Sequence, residues 1–167
     1  MELPQLIIRA VQFLWTLLIT ALIGNVIANN YNGHMASINF AMFVAVLSWI
    51  SLIYGLVASF VDAVAVPIAM IALDGLAVLF SFISAIVLAA MLKAVNCGGN
   101  LSNKGSGWIG YGSANDHKRC REIQASTAFM WFLFGTLAAS LALAVIGFRR
   151  MGGSVRSSGP HMSQVHV

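Results

Sequence analysis

The chain has 167 residues, 59% of them hydrophobic and only 8% charged, with a formal net charge of +4. A soluble domain carries about 25% charged residues, and a chain this small has too little polar surface to bury four all-round apolar segments, which excludes a soluble fold. The nine basic residues are spread over the ends of the apolar segments and form no patch interleaved with exposed aromatics, which excludes a nucleic-acid surface.

Four apolar runs occupy about 6–27, 38–61, 66–92 and 125–148. A helix of roughly 20 residues rises about 30 Å, the thickness of a bilayer's hydrocarbon core. Backbone amides there have no water to bond, so each run must be a helix. The sequence predicts an all-α integral membrane protein, a four-transmembrane-helix bundle within 1–150. The stretch 93–124 is its one sizeable loop and 151–167 a Gly/Ser-rich tail expected to be disordered. This leaves no room for a soluble catalytic domain. No nucleophile–base or metal set is visible either, so the chain is read as not an enzyme.

The first run follows Met1-Glu2-Leu3-Pro4-Gln5, which has no basic n-region, and its apolar stretch is longer than a signal h-region. It is expected to be a retained span. Arg9 lies about one turn into it. Thr16, Thr20, Gly24 and Ala28 recur at four-residue spacing, which lets helix backbones approach closely in lipid. The loop 28–37 is polar.

The second run carries the same pattern at Ser51, Gly55 and Ser59 and ends at Asp62, expected at the inner membrane interface. The connection to the third run is tight, and Pro67 suits the first turn of a helix, so spans two and three form a hairpin. Asp74 lies about two turns into span three, ahead of the small residues Ser81, Ala85 and Ala89. Ionisable groups inside a membrane are costly unless paired or hydrated. Arg9 and Asp74 are read as a charge pair that orients helices, the alternative being a proton or ion relay, or a headgroup site.

Cys97 and Cys120 are the two cysteines, and both fall in loop three. They suggest a disulfide across the mouth of spans three and four, the alternative being two free thiols in a cytosolic loop. The positive-inside rule barely chooses a side. Arg9, Arg149, Arg150 and Arg156 lie on the terminal side, and Lys93, Lys104, Lys118, Arg119 and Arg121 on the loop side. A disulfide needs an oxidising compartment, so loop three is expected outside and both termini in the cytosol. Asn100-Leu101-Ser102 is then a glycosylation sequon on the permissive side, close to the end of span three. Gly105-Ser106-Gly107-Trp108-Ile109-Gly110 matches GxGxxG but follows no strand, and reads as flexible loop. Cys97, His117 and Cys120, with His34 as a distant fourth, fall short of a structural zinc site, and no metal is expected. Span four carries Gly135 and Ala139. Arg149 and Arg150 close it where anionic lipid headgroups would attract them. The small residues of all four spans support a tight bundle and a face left for another copy, a homo-oligomer.

Several segments in this order resemble a known family. They are Tyr54-Gly55-Leu56-Val57-Ala58, the acidic-then-proline segment from Asp62 to Pro67, and Ala72-Leu73-Asp74-Gly75-Leu76 running into Phe80-Ser81-Phe82. With them go Arg119-Cys120-Arg121 leading to Gln124-Ala125 and Phe129, and the terminal Ser163-Gln164-Val165. The chain resembles the fungal non-classical export protein 2 family of MARVEL-domain tetraspan proteins. The resemblance covers nearly the whole chain and is weakest in loop three and the tail. It implies a multi-pass plasma-membrane protein in sterol-rich, eisosome-associated microdomains, with eisosome-type membrane proteins as partners. It also implies links to sphingolipid balance and to export of proteins lacking signal peptides, bound lipid or sterol rather than a cofactor, and no catalytic residues. The alternative from another class is a small proton or ion channel or transporter using Asp74.

Overall fold

The structure is a computed structural model that describes residues 3–61, 66–93, 96–99, 101, 105 and 107–150. Among these the chain forms four helices and no strand: α1 Leu3–Ala28, α2 Ala36–Phe60, α3 Pro67–Leu92 and α4 Asp116–Arg150. All four are long and apolar enough to cross a membrane. Pro4 and Pro67 sit in the first turns of α1 and α3, where a missing N–H breaks no helical bond. Asp62, Asn100 and the tail 151–167 lie outside the described residues, as do the side chains of Ser59 and Arg150.

α4 begins at Asp116 rather than near 125, which shortens the expected loop 93–124. Hydropathy located the apolar part of this helix and missed its polar first turns. A cap sets the true start: Asn115 Oδ1 accepts the N–H of Lys118 at 3.0 Å, satisfying one of the orphan donors of a helix N-terminus. Asp116 Oδ1 accepts the N–H groups of Gly112 and Ser113, each at 3.1 Å, which folds the preceding turn onto the helix.

The helices form a closed ring in which α1 touches α2, α2 touches α3, α3 touches α4, and α4 returns to α1. Among the described residues neither diagonal pair of helices is in comparable contact. Consecutive helices are neighbours in the ring, joined by short connections except for the longer stretch 93–115 between α3 and α4, so the order is up-down-up-down. The interior is lined by Ile19 and Ile23 of α1, Ala41, Val44 and Ala45 of α2, Ala77, Ala85 and Leu88 of α3, and Met130, Leu133 and Leu137 of α4. The outside is just as apolar: Leu17, Phe43, Ile53, Leu79 and Phe132 are all exposed. Lipid is no worse a solvent than the core for such side chains, so close packing and polar bonds must hold the bundle together.

The small residues divide by face. Thr16, Ser51, Gly55, Ser81 and Ala85 are buried. Thr20, half-buried, accepts a hydrogen bond on its Oγ1 from Trp49 Nε1 at 3.0 Å, tying α1 to α2. Ala89, Gly135 and Ala139 are exposed, and a Cβ added at Gly24 or Gly135 would meet nothing within 4 Å. These four do not bring helices of the bundle together. On α3 the inward face runs through Asp74, Ala77, Ser81, Ala85, Leu88 and Leu92, and Ala89 falls one residue off it.

Candidate functional site

The Arg9 guanidinium meets the Asp74 carboxylate as a two-pronged pair, NH1 to Oδ1 at 3.0 Å and NH2 to Oδ2 at 2.6 Å. Both side chains are 1% exposed. Each lies about 10 Å from the start of its helix at 1.5 Å per residue, at the end of the bundle that carries the chain termini. The pair joins α1 to α3 across the ring, the direction in which helices do not otherwise touch.

The neighbouring helices complete it. Ser51 Oγ of α2 donates to Asp74 Oδ1, and Ser140 Oγ of α4 donates to Oδ2 at 3.2 Å. The carboxylate thus receives a hydrogen bond from every other helix. Each oxygen takes two donors, the full capacity of its lone pairs. Gln12 accepts from Arg9 NH1 at 3.2 Å and donates to the Thr136 carbonyl of α4 at 3.0 Å. Gln5 Nε2 donates to Ser140 Oγ at 3.2 Å. A buried charge pair is tolerable when its remaining hydrogen-bonding capacity is met in this way.

Gly55 is the floor of the site. A Cβ placed there would lie 2.7 Å from Arg9 Cζ and 2.8 Å from NH2. The guanidinium therefore rests against the backbone of α2, and only glycine leaves room for it. Gly55→Ala is expected to destabilise the bundle by about 1–3 kcal/mol, the usual range for overpacking. Alanine ordinarily favours a helix by about 1 kcal/mol over glycine, so a gain in thermal stability in detergent would show that the guanidinium has room to shift.

The opposite end is closed by the chain between α3 and α4. Cys97 and Cys120 form a disulfide, with Cα atoms 5.6 Å apart, and His117 Nδ1 donates to the Cys97 carbonyl at 2.9 Å. Their sulfurs are bonded to each other, so neither is available to a metal as a thiolate. Trp108 Nε1 donates to the Leu92 carbonyl at 2.9 Å, satisfying an orphan acceptor at the end of α3. Gly110 allows this: a Cβ there would lie 2.4 Å from the Trp108 ring. Of the glycines read as flexible loop, Gly110 packs against the buried Trp108 of this lid, while Gly105 and Gly107 are exposed with open space beside them. Arg119 does for α1 what Trp108 does for α3. It is 2% exposed and donates through NH1 to the Val26 carbonyl and through Nε to the Ile109 carbonyl, both at 3.0 Å. Asn25 Nδ2 donates to Glu122 Oε1 at 2.6 Å beside it, binding α1 to α4.

Sequence reasoning identified the two ends of the charge pair and missed its supports. Gln12 carries a signal, being polar within an apolar run and one turn after Arg9. Ser140 carries little, because a lone serine among the alanines and leucines of α4 reads as one more small residue. Arg119 is hidden among neighbouring cations. Arg149 is exposed at the end of α4, on the terminal side.

The MARVEL family, described as a membrane-associating domain, matches residues 2–143. The chain is 31% identical to the non-classical export protein 2 of Saccharomyces cerevisiae over 140 residues, 83% of this chain and 78% of that protein. It is 32% identical to the non-classical export protein 102 of Candida albicans over 169 residues, 96% of this chain and 97% of that protein. A further relative in Saccharomyces cerevisiae, the non-classical export protein 2 homolog 1, is 27% identical over 92% of this chain and 86% of its own length. No solved structure matches the chain.

Proposed function

We propose, from the premise that the chain belongs to the MARVEL family of membrane-associating domains, that it is a non-enzymatic organiser of the plasma membrane. It gathers sterol- and sphingolipid-rich microdomains of the eisosome-associated kind through bound lipid, partner membrane proteins and copies of itself. The names of its relatives support a part in export of proteins that lack a signal peptide. In this reading the termini are cytosolic and the lid is outside, which the Cys97–Cys120 disulfide supports because such a bond persists in an oxidising compartment. Arg149 and Arg150 then face the anionic inner leaflet.

One observation carries the non-conducting reading. The Asp74 carboxylate is engaged at all its lone pairs by Arg9, Ser51 and Ser140, which leaves no acceptor for a passing ion. Its environment is that of a structural tie rather than a relay, which needs a site that exchanges partners. Reconstitution in liposomes tests this. The expected result is lipid-dependent clustering with no proton or ion flux. Flux that Asp74→Asn abolishes would overturn the reading in favour of a channel or transporter.

A further inference from the structure

The lid end of the bundle holds a second buried cation, and among the described residues no carboxylate lies within 4 Å of it. Arg119 donates to two carbonyls as described, and its NH2 meets only the Met35 sulfur, at 3.3 Å. A thioether is a weak acceptor, and a guanidinium has five N–H groups, so part of its donor capacity is unmet. The two acids on its own helix are committed elsewhere. Asp116 Oδ1 holds the Gly112 and Ser113 amides, and Glu122 Oε1 holds Asn25 with Lys118 at 3.7 Å. Asp116 and Glu122 still offset the charge through space, but neither touches the guanidinium, so its unmet N–H groups are open to a further acceptor, best an anionic one.

A cavity of about 270 Å³ opens beside Arg119, between the last turn of α1 at Ile27 and the first turns of α2 at Ile38 and Asn39. Asn30 also lines it. Its Nδ2 donates to the Gly33 carbonyl, while its Oδ1 is turned inward beside Gly112 with no hydrogen-bond partner among the described residues. The cavity therefore adjoins a cation with unmet donors and is lined by both polar residues, Asn39 and His34, and apolar ones, Ile27 and Ile38. Its place at the ends of two spanning helices is the depth of lipid headgroups.

We propose that this cavity is a phosphate site for a phospholipid headgroup, with phosphate oxygens on Arg119. A planar guanidinium suits phosphate oxygens, and the mixed lining suits a group at the boundary of water and hydrocarbon. The proposal rests on the membrane-organiser reading only in taking the phosphate from a lipid.

Arg119 also caps α1, so its removal would confuse binding with folding. Asn39 offers a cleaner variant. It is exposed, lines the cavity, and sits in the first turn of α2, where an acid is favourable to the helix. Asn39→Asp places a negative charge in the cavity without breaking an Arg119 bond. The full chain in a phosphate-free maltoside detergent is titrated by native mass spectrometry with dioctanoyl phosphatidylinositol, dioctanoylglycerol and inorganic phosphate. The expected result is saturable binding of the phospholipid and none of dioctanoylglycerol. Asn39→Asp weakens phospholipid binding at least tenfold with a melting temperature no lower than that of the wild type, and Asn39→Ser stays within threefold. Inorganic phosphate that binds as tightly as the phospholipid, and is equally sensitive to Asn39→Asp, would assign the site to free anion and overturn the lipid source. Phospholipid binding that is absent, or indifferent to Asn39→Asp, would overturn the site. Vesicle clustering is read separately: lost binding with retained clustering refutes the site alone, and lost clustering with retained binding refutes the organiser reading alone.

Discussion

Asp74→Ala should destabilise the folded bundle by about 3–5 kcal/mol, the cost of breaking a buried ion pair by removing one partner. The change strands the Arg9 guanidinium at 1% exposure and leaves Ser51 and Ser140 without their acceptor. The double change Arg9→Ala with Asp74→Ala should cost less than Asp74→Ala alone, because no charge is then left buried. Thermal or denaturant unfolding in detergent of the wild type, both single variants and the double variant closes the cycle. A double variant milder than Asp74→Ala requires a coupling energy larger than the cost of Arg9→Ala alone, about 3 kcal/mol or more, at the top of the range for groups in direct contact. Losses that simply add would mean that the pair contributes nothing as a pair, and Asp74 would become a better candidate for a proton or lipid site. The comparison has added weight because of geometry. The pair spans the ring between α1 and α3, so weakening it removes the tie that sets the rotation of both helices.

Reduction of the disulfide, or Cys97→Ser with Cys120→Ser, should cost roughly 3 kcal/mol, the loop-closure entropy for a cross-link of this span. The two cysteines are separated by 23 residues, and the enclosed chain includes Trp108, which is buried against the end of α3. Opening the bond should loosen the lid first, exposing Trp108 to solvent and shifting its fluorescence to the red before the helices separate. The same bond reports sidedness. An impermeant maleimide applied to intact cells should label Cys97 and Cys120 only after reduction. Labelling without reductant would contradict the bond in the cell, and labelling that needs permeabilised membranes would place the lid in the cytosol.

Much of the architecture was legible in the residues alone, for particular reasons. Four runs of bilayer length leave the backbone no alternative to helix, so the spans followed from hydropathy and the chemistry of unpaired amides. Arg9 and Asp74 stood out because an ionisable group inside an apolar run is expensive enough to need a partner. Cys97 and Cys120 stood out because both fall in one loop.

Three features waited for the tertiary structure. Gly55 looked like one small residue in a packing stripe, and its use as a bed for the Arg9 guanidinium depends on how α2 is rotated against α1. Ser51 and Ser140 became ligands of Asp74 only when three helices were set around a fourth. Gly24, Ala89, Gly135 and Ala139 have the same spacing and turned out to face away from close contacts. Spacing along one helix fixes which residues share a face, but not which way that face points, because the lipid-facing side of this bundle is as apolar as its interior. In water, hydrophobicity would have marked the inward face. In a membrane that signal is cancelled, and rotation is decided by the few polar groups that must find one another across the bundle.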